Sequence, residues 1–112
     1  MSARSRIGCL VAALLAAAPV AASAQWLLVP MDREQRNHLK AYGLTHWALE
    51  RELSSEWLLN YRDGSFLLPD RDEVRREAAL RGVTTVALDP AGEARIRATI
   101  EESNMEAVPL PR

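Results

Sequence analysis

Asn60, Arg62 and Ser65 lie within six residues of one another, with Gly64 between them. An amide, a guanidinium and a hydroxyl at that spacing could hydrogen-bond a polar ligand, and Gly64 would let the backbone come close to it. The same Arg62-Asp63-Gly64-Ser65 stretch sits between two apolar runs, so a solvated hairpin turn is the plainer reading of it. His46 and Glu50, four residues apart on one helix face, could share a metal. His38 precedes His46 by eight residues, which turns it about 80° round a helix and spoils the pair. A metal normally takes three or four ligands, so no metal site is expected. Asp32, Asp70 and Asp89 each stand where a helix should begin and already place a carboxylate in its N-terminal field, which disfavours phosphate there. With no glycine-rich phosphate loop either, neither a nucleotide nor any other cofactor is expected. No Ser-His-Asp or Cys-His arrangement follows from the spacing, and no catalytic residue is assigned. Trp26, Trp47 and Trp57 each sit in an apolar segment and read as core.

The elements that must position these groups are legible as alternating periods. Trp26-Leu27-Leu28-Val29 before Pro30 reads as a buried strand. Asp32 and Gln35 have capping-box spacing and open a helix over residues 33–53. Its inward stripe is Leu39, Tyr42, His46, Leu49 and Leu53, widened by Leu44, Trp47 and Ala48. Gly43 inside it implies a close crossing or a small kink. Residues 56–61 form a second strand and 66–68 a third extended run, paired either as a hairpin or as a core strand followed by an edge piece. Asp70 and Glu73 open a helix to Arg81, capped by Gly82, with Val74 and Ala78 inward. Residues 83–88 are β-branched and extended. Asp89-Pro90 then starts a last helix to Asn104, with Ile96 and Ile100 inward. The order β-α-β(β)-α-β-α predicts an α/β fold with a small, mainly parallel sheet, an incomplete Rossmann-like unit. In such a sheet ligands bind beyond the carboxyl ends of the strands, here at residues 30–32, 60–65 and 89.

The first 24 residues have a different character. Arg4 and Arg6 precede an apolar stretch from Ile7 to Ala18, Pro19 ends it, and Ala22-Ser23-Ala24 supplies small residues. That is the pattern of a signal peptide cleaved between Ala24 and Gln25, and it implies a periplasmic or secreted protein that meets the membrane only during export. An uncleaved anchor is the alternative, although the stretch falls short of the about 20 residues a span needs. Cleavage would remove Cys9, the only cysteine, and leave no thiol for a disulfide or a nucleophile. The formal net charge of −1 gives no field for nucleic acid. The expected organisation is a signal peptide over 1–24, an α/β domain over 25–106 and a Pro-containing tail over 107–112.

Three segments, Leu28-Val29-Pro30-Met31-Asp32, His38-Leu39-Lys40-Ala41-Tyr42-Gly43 and Trp57 through Phe66, resemble the N-terminal part of larger exported bacterial proteins labelled asparagine synthetase B. The resemblance spans nearly all of residues 25–112 but only about the first quarter of such a protein. It implies an α/β fold and a segment, Tyr61-Arg62 with Gly64-Ser65, that faces a site. The glutamine-hydrolysing cysteine and the Ser-Gly-Gly-type ATP loop of true asparagine synthetases have no counterpart, so no catalytic residue is carried over. The leading expectation is a non-catalytic N-terminal fragment of an exported protein. The alternatives are part of an amidotransferase- or hydrolase-like enzyme with catalytic residues beyond Arg112, and a small periplasmic binding module. The partners expected are the remainder of the same protein or a second copy.

Overall fold

The structure is a computed structural model and describes residues 25–111. The signal segment expected over 1–24 lies outside the described residues. Strand β1 (Trp26–Val29) leads to helix α1 (His38–Glu50), then β2 (Ser55–Leu59), a 3₁₀ turn (Tyr61–Asp63) and β3 (Ser65–Pro69). Helix α2 (Asp72–Arg81), β4 (Val86–Leu88), helix α3 (Pro90–Glu102) and β5 (Glu106–Leu110) follow.

The five strands form one sheet in the order β4-β1-β3-β2-β5, and every neighbouring pair is antiparallel. This overturns the mainly parallel, Rossmann-like expectation. The reason lies in the β2–β3 hairpin, whose register pairs Leu58 with Ser65 and Trp57 with Phe66. Strands β1 and β2, joined by α1, do run in the same direction, but β3 is inserted between them. Strands β3 and β4, joined by α2, also run in the same direction, with β1 between them. The helices are thus true crossovers between strands of like direction that never touch, the split β-α-β arrangement called ferredoxin-like. Helix α3 and β5 extend it: β5 pairs with β2, Trp57 opposite Val108. Residues 107–112, expected to be a tail, therefore hold most of the edge strand.

Both faces of the sheet are covered, and each strand's alternation divides its side chains between them. On one face Leu27, Val29, Phe66 and Leu68 pack against Ala41, Leu44 and Ala48 of α1 and Val74 and Ala78 of α2. On the other, Leu28, Leu58, Leu67 and Leu88 pack against Ile96 and Ile100 of α3. Trp47 and Trp57 pack against the first cluster and Trp26 against the second, as core-lining indoles. A Glu56–Arg97 pair, Nη1 and Nη2 to the two carboxylate oxygens at 3.0 and 2.7 Å, ties β2 to α3.

Helix α1 departs from expectation in start and in face. Asn37 caps it, accepting from the Lys40 N–H, while Asp32 closes an earlier turn by accepting from the Glu34 N–H. Its buried residues are Ala41, Leu44, Thr45 and Ala48, whereas Leu39 and Tyr42 are exposed. Small side chains bring the helix axis close to the sheet, and the bulky ones are turned outward or to the margin. Gly43 does mark a close approach, by α2 rather than by a strand: a Cβ there would meet the Arg81 guanidinium at 2.9 Å. Helix α2 is capped at its end by Gly82 in the left-handed region, as expected. At its start Arg71 holds the capping position without a side-chain bond, and Asp70 pairs with Arg75. Asp89 is the one aspartate of the three that caps as read, accepting from the Gly92 N–H at 2.7 Å.

Candidate ligand-binding site

The loop between β2 and β3 is held in a costly conformation. Asn60, Arg62 and Asp63 all have positive φ (64°, 44° and 65°), and Gly64 follows at 86°. Left-handed backbone costs roughly 1 kcal/mol or more for each non-glycine residue, so surrounding bonds must fix it. The Arg62 side chain supplies two of them. Its Nε donates to Asp32 Oδ2 at 2.6 Å and its Nη2 to Asp32 Oδ1 at 3.2 Å, a two-pronged ion pair between segments thirty residues apart. The Ser65 hydroxyl, fully buried, donates to the Arg62 carbonyl and accepts from the Met31 N–H. The His38 ring bonds the Asp32 carbonyl through Nε2 at 2.9 Å. The hydrogen bonds to Arg62, and secondarily the Glu34 N–H, hold the Asp32 carboxyl below its ordinary value against the opposing push of burial. The same bonds to Asp32 raise the Arg62 guanidinium further.

Three segments singled out in the sequence thus meet in one cluster: Met31-Asp32, His38 and the 60–65 loop. Asn60 stands exposed at the start of the turn and caps nothing with its side chain. Tyr61 packs on the second core face. Gly64 lets its backbone lie under Trp57, whose Nε1–H donates to the Gly64 carbonyl at 3.2 Å. A Cβ at Gly64 would press on the same ring nitrogen at 3.2 Å. Gly64→Ala should therefore lower stability by about 1 kcal/mol, measurable as a lower urea midpoint with an unchanged m-value.

Tyr61 and Arg62 border an open cleft of about 230 Å³, walled by Leu28, Val86, Leu88 and Ile96 and closed on the α3 side by Gly92, Arg95 and Thr99. Sequence reasoning found one side of it. Arg95 was missed, because an arginine on a charged helix face carries no signal of its own. Of the expected ligand-contacting residues, Tyr61 and Arg62 reach the cleft, Ser65 and Gly64 brace the loop behind it, and Asn60 is not among its lining residues. His46 and Glu50 lie 3.7 Å apart on the exposed face of α1. No group of three or more His, Cys, Asp or Glu that could hold a metal occurs among the described residues. The Ser65 hydroxyl is taken up by the Met31 N–H and the Arg62 carbonyl. Among the described residues no helix is long and apolar enough to cross a membrane.

Fold and site together define a two-faced, antiparallel α/β domain with a braced loop beside a small cleft. No family model, curated protein or solved structure matches the chain.

Proposed function

We propose that residues 25–111 form a non-catalytic ligand-binding domain of an exported bacterial protein, of the kind the resemblance to the proteins labelled asparagine synthetase B implies. The observation that carries this reading is the convergence of the quoted segments. Met31-Asp32, His38 and Tyr61 to Ser65 are knitted together by the Asp32–Arg62 pair beside the cleft. The hydrogen-bonding capacity of the cluster is spent on fixing a left-handed loop in place, which supports holding a ligand in preference to transforming it.

Export and binding are tested separately. Expression of the full chain in a Gram-negative host should deliver to the periplasm a protein whose intact mass begins at Gln25, as the free or cyclised residue. A protein of full-length mass in the cytosol would end the export reading. For binding, amide-resolved NMR of the exported protein with a mixture of small polar and amphipathic compounds should move the signals of Tyr61, Arg62 and Ser65. Incubation with glutamine and ATP should release no ammonia. Ammonia release that stays with the protein through purification would put the hydrolase reading in its place.

A further inference from the structure

We infer that the cleft takes a small organic carboxylate with an apolar body, and that Arg95 reads its charged end. The inference rests on the proposal that the 60–65 loop borders a ligand site, and it adds the chemical class of the ligand.

The cleft has two chemically distinct parts. Its walls are the side chains of Leu28, Val86, Leu88 and Ile96, and its rim carries Tyr61, Arg62, Arg95 and Thr99. The polar groups on and near the rim differ in how far they are already engaged. Arg62 gives its Nε–H and one Nη2 hydrogen to Asp32, whose carboxylate balances its charge, and keeps its other three N–H groups. The Thr99 hydroxyl proton goes to the Arg95 carbonyl at 3.0 Å. Asp89, at the start of α3, accepts from the Gly92 N–H through Oδ1 and leaves Oδ2 free among the described residues. The Arg95 guanidinium takes part in none of the ion pairs or hydrogen bonds among the described residues, in contrast to Arg97 two positions on, which binds both Glu56 and Glu93.

Asp32 is therefore occupied by Arg62 and Asp89 is engaged through one oxygen, while the Arg95 guanidinium and the Tyr61 hydroxyl have no acceptor among the described residues. A planar fork of N–H donors without a partner fits a carboxylate. A phosphate dianion is disfavoured because the Asp89 carboxylate already sits at the nearby helix start and a second negative charge would face it. The Leu28, Leu88 and Ile96 side chains in the cleft favour a hydrocarbon remainder for the ligand. A cleft of this volume holds about ten non-hydrogen atoms, fewer than a drug-sized ligand. An arylacetate or a medium-chain fatty acid has that shape, with the charge at one end.

The test titrates the exported protein with three probes by amide-resolved NMR: phenylacetate, its neutral isostere phenylacetamide, and inorganic phosphate. Phenylacetate should move the signals of Tyr61, Arg95 and Thr99 and bind at least tenfold more tightly than phenylacetamide. Arg95→Gln, on an exposed position, should weaken phenylacetate at least tenfold and leave phenylacetamide unchanged, with an otherwise native spectrum. Equal affinity for acid and amide, an unaffected Arg95→Gln variant, or phosphate bound more tightly than phenylacetate would each overturn the carboxylate assignment. The binding-domain proposal survives those outcomes if the mixture of polar compounds still moves the 60–65 signals. Silence from all three probes and from the mixture overturns both.

Discussion

Gln35→Ala should cost the domain about 3 kcal/mol, the largest loss expected from removing any one polar side chain in it. Gln35 is buried, and its amide is fully used. Nε2 donates to the Pro30 carbonyl at 2.9 Å and to the Thr84 carbonyl at 3.0 Å. Oε1 accepts from the Thr84 N–H at 2.8 Å and from the Asn37 N–H at 3.4 Å. Through these bonds one side chain joins the end of β1, the cap of α1 and the chain entering β4. Alanine leaves two carbonyls and two N–H groups without this partner in a part-buried setting, and each orphaned group costs roughly 1 kcal/mol where water does not replace the bond. A domain of this size has a total stability of only about 4–13 kcal/mol, so the midpoint of thermal unfolding should fall by about 15 °C. Gln35→Glu tests the assignment of the amide. Its carboxylate keeps the two accepted bonds but turns an oxygen toward the Pro30 and Thr84 carbonyls, so it should be no milder than alanine at neutral pH. A glutamate variant as stable as the parent would show that Gln35 does not bridge these segments.

Gln35 also shows where sequence reading reached its limit. Its spacing from Asp32 is that of a capping box, and a local bond is the only kind spacing can reveal. The bonds it makes, to a strand end and to a loop forty-nine residues on, have no period in the chain. The sheet was misread for a related reason. Continuous apolar runs such as Trp26–Val29 mean only that both faces of a strand are covered, and parallel sheets are the commonest setting for that. Here α1 and α2 cover one face of an antiparallel sheet and α3 the other. The Asp63-Gly64 turn signal was sound. It made β3 an antiparallel neighbour of β2, but nothing local to the turn says that β3 also pairs with β1 and so separates β1 from β2. The caps at Gly82 and Asp89 and the inward pairs Val74/Ala78 and Ile96/Ile100 were legible, because capping and helical period are local physics. On α1 the large residues misled. Tyr42 lies against Phe66, ring centroids 5.7 Å apart, while itself half open to solvent, and the buried stripe is made of the smaller Ala41, Thr45 and Ala48 with Leu44. The candidate site was legible in pieces: the 60–65 loop and residues 30–32 stood out separately, but the Asp32–Arg62 pair and the placement of Arg95 across the cleft depend on contacts that only the folded topology makes.

Asp32→Asn should lower stability by about 1–2 kcal/mol at neutral pH, between the small value of an exposed ion pair and the larger cost of breaking a buried one. Both side chains are roughly a quarter exposed, which sets that intermediate scale. Asparagine preserves the shape and can still accept from the Glu34 N–H through Oδ1, so the loss isolates the carboxylate charge facing Arg62. The pH dependence follows from the direction of the Asp32 shift. Its folded-state value lies below the ordinary 3.8, so the unfolded chain takes up the proton first as pH falls. The contribution is fully present above the unfolded value and disappears as pH drops through the folded one. The stability difference between parent and Asp32→Asn should be flat from about pH 5 to 8 and should shrink below about pH 4. Arg62 remains protonated throughout and adds no slope. A difference that instead grows below pH 4, or that vanishes at neutral pH, would remove the pair from the account of the loop. Arg62 itself separates side chain from backbone. Arg62→Ala loses the pair and keeps the left-handed strain at φ 44°. Arg62→Gly loses the pair but relieves that strain, and should be the milder of the two by up to about 1 kcal/mol. If glycine proves as damaging as alanine, the loop is not strained, and the Asp32–Arg62 pair is then a contact between two rigid segments and not the brace that keeps Tyr61 and Arg62 at the cleft.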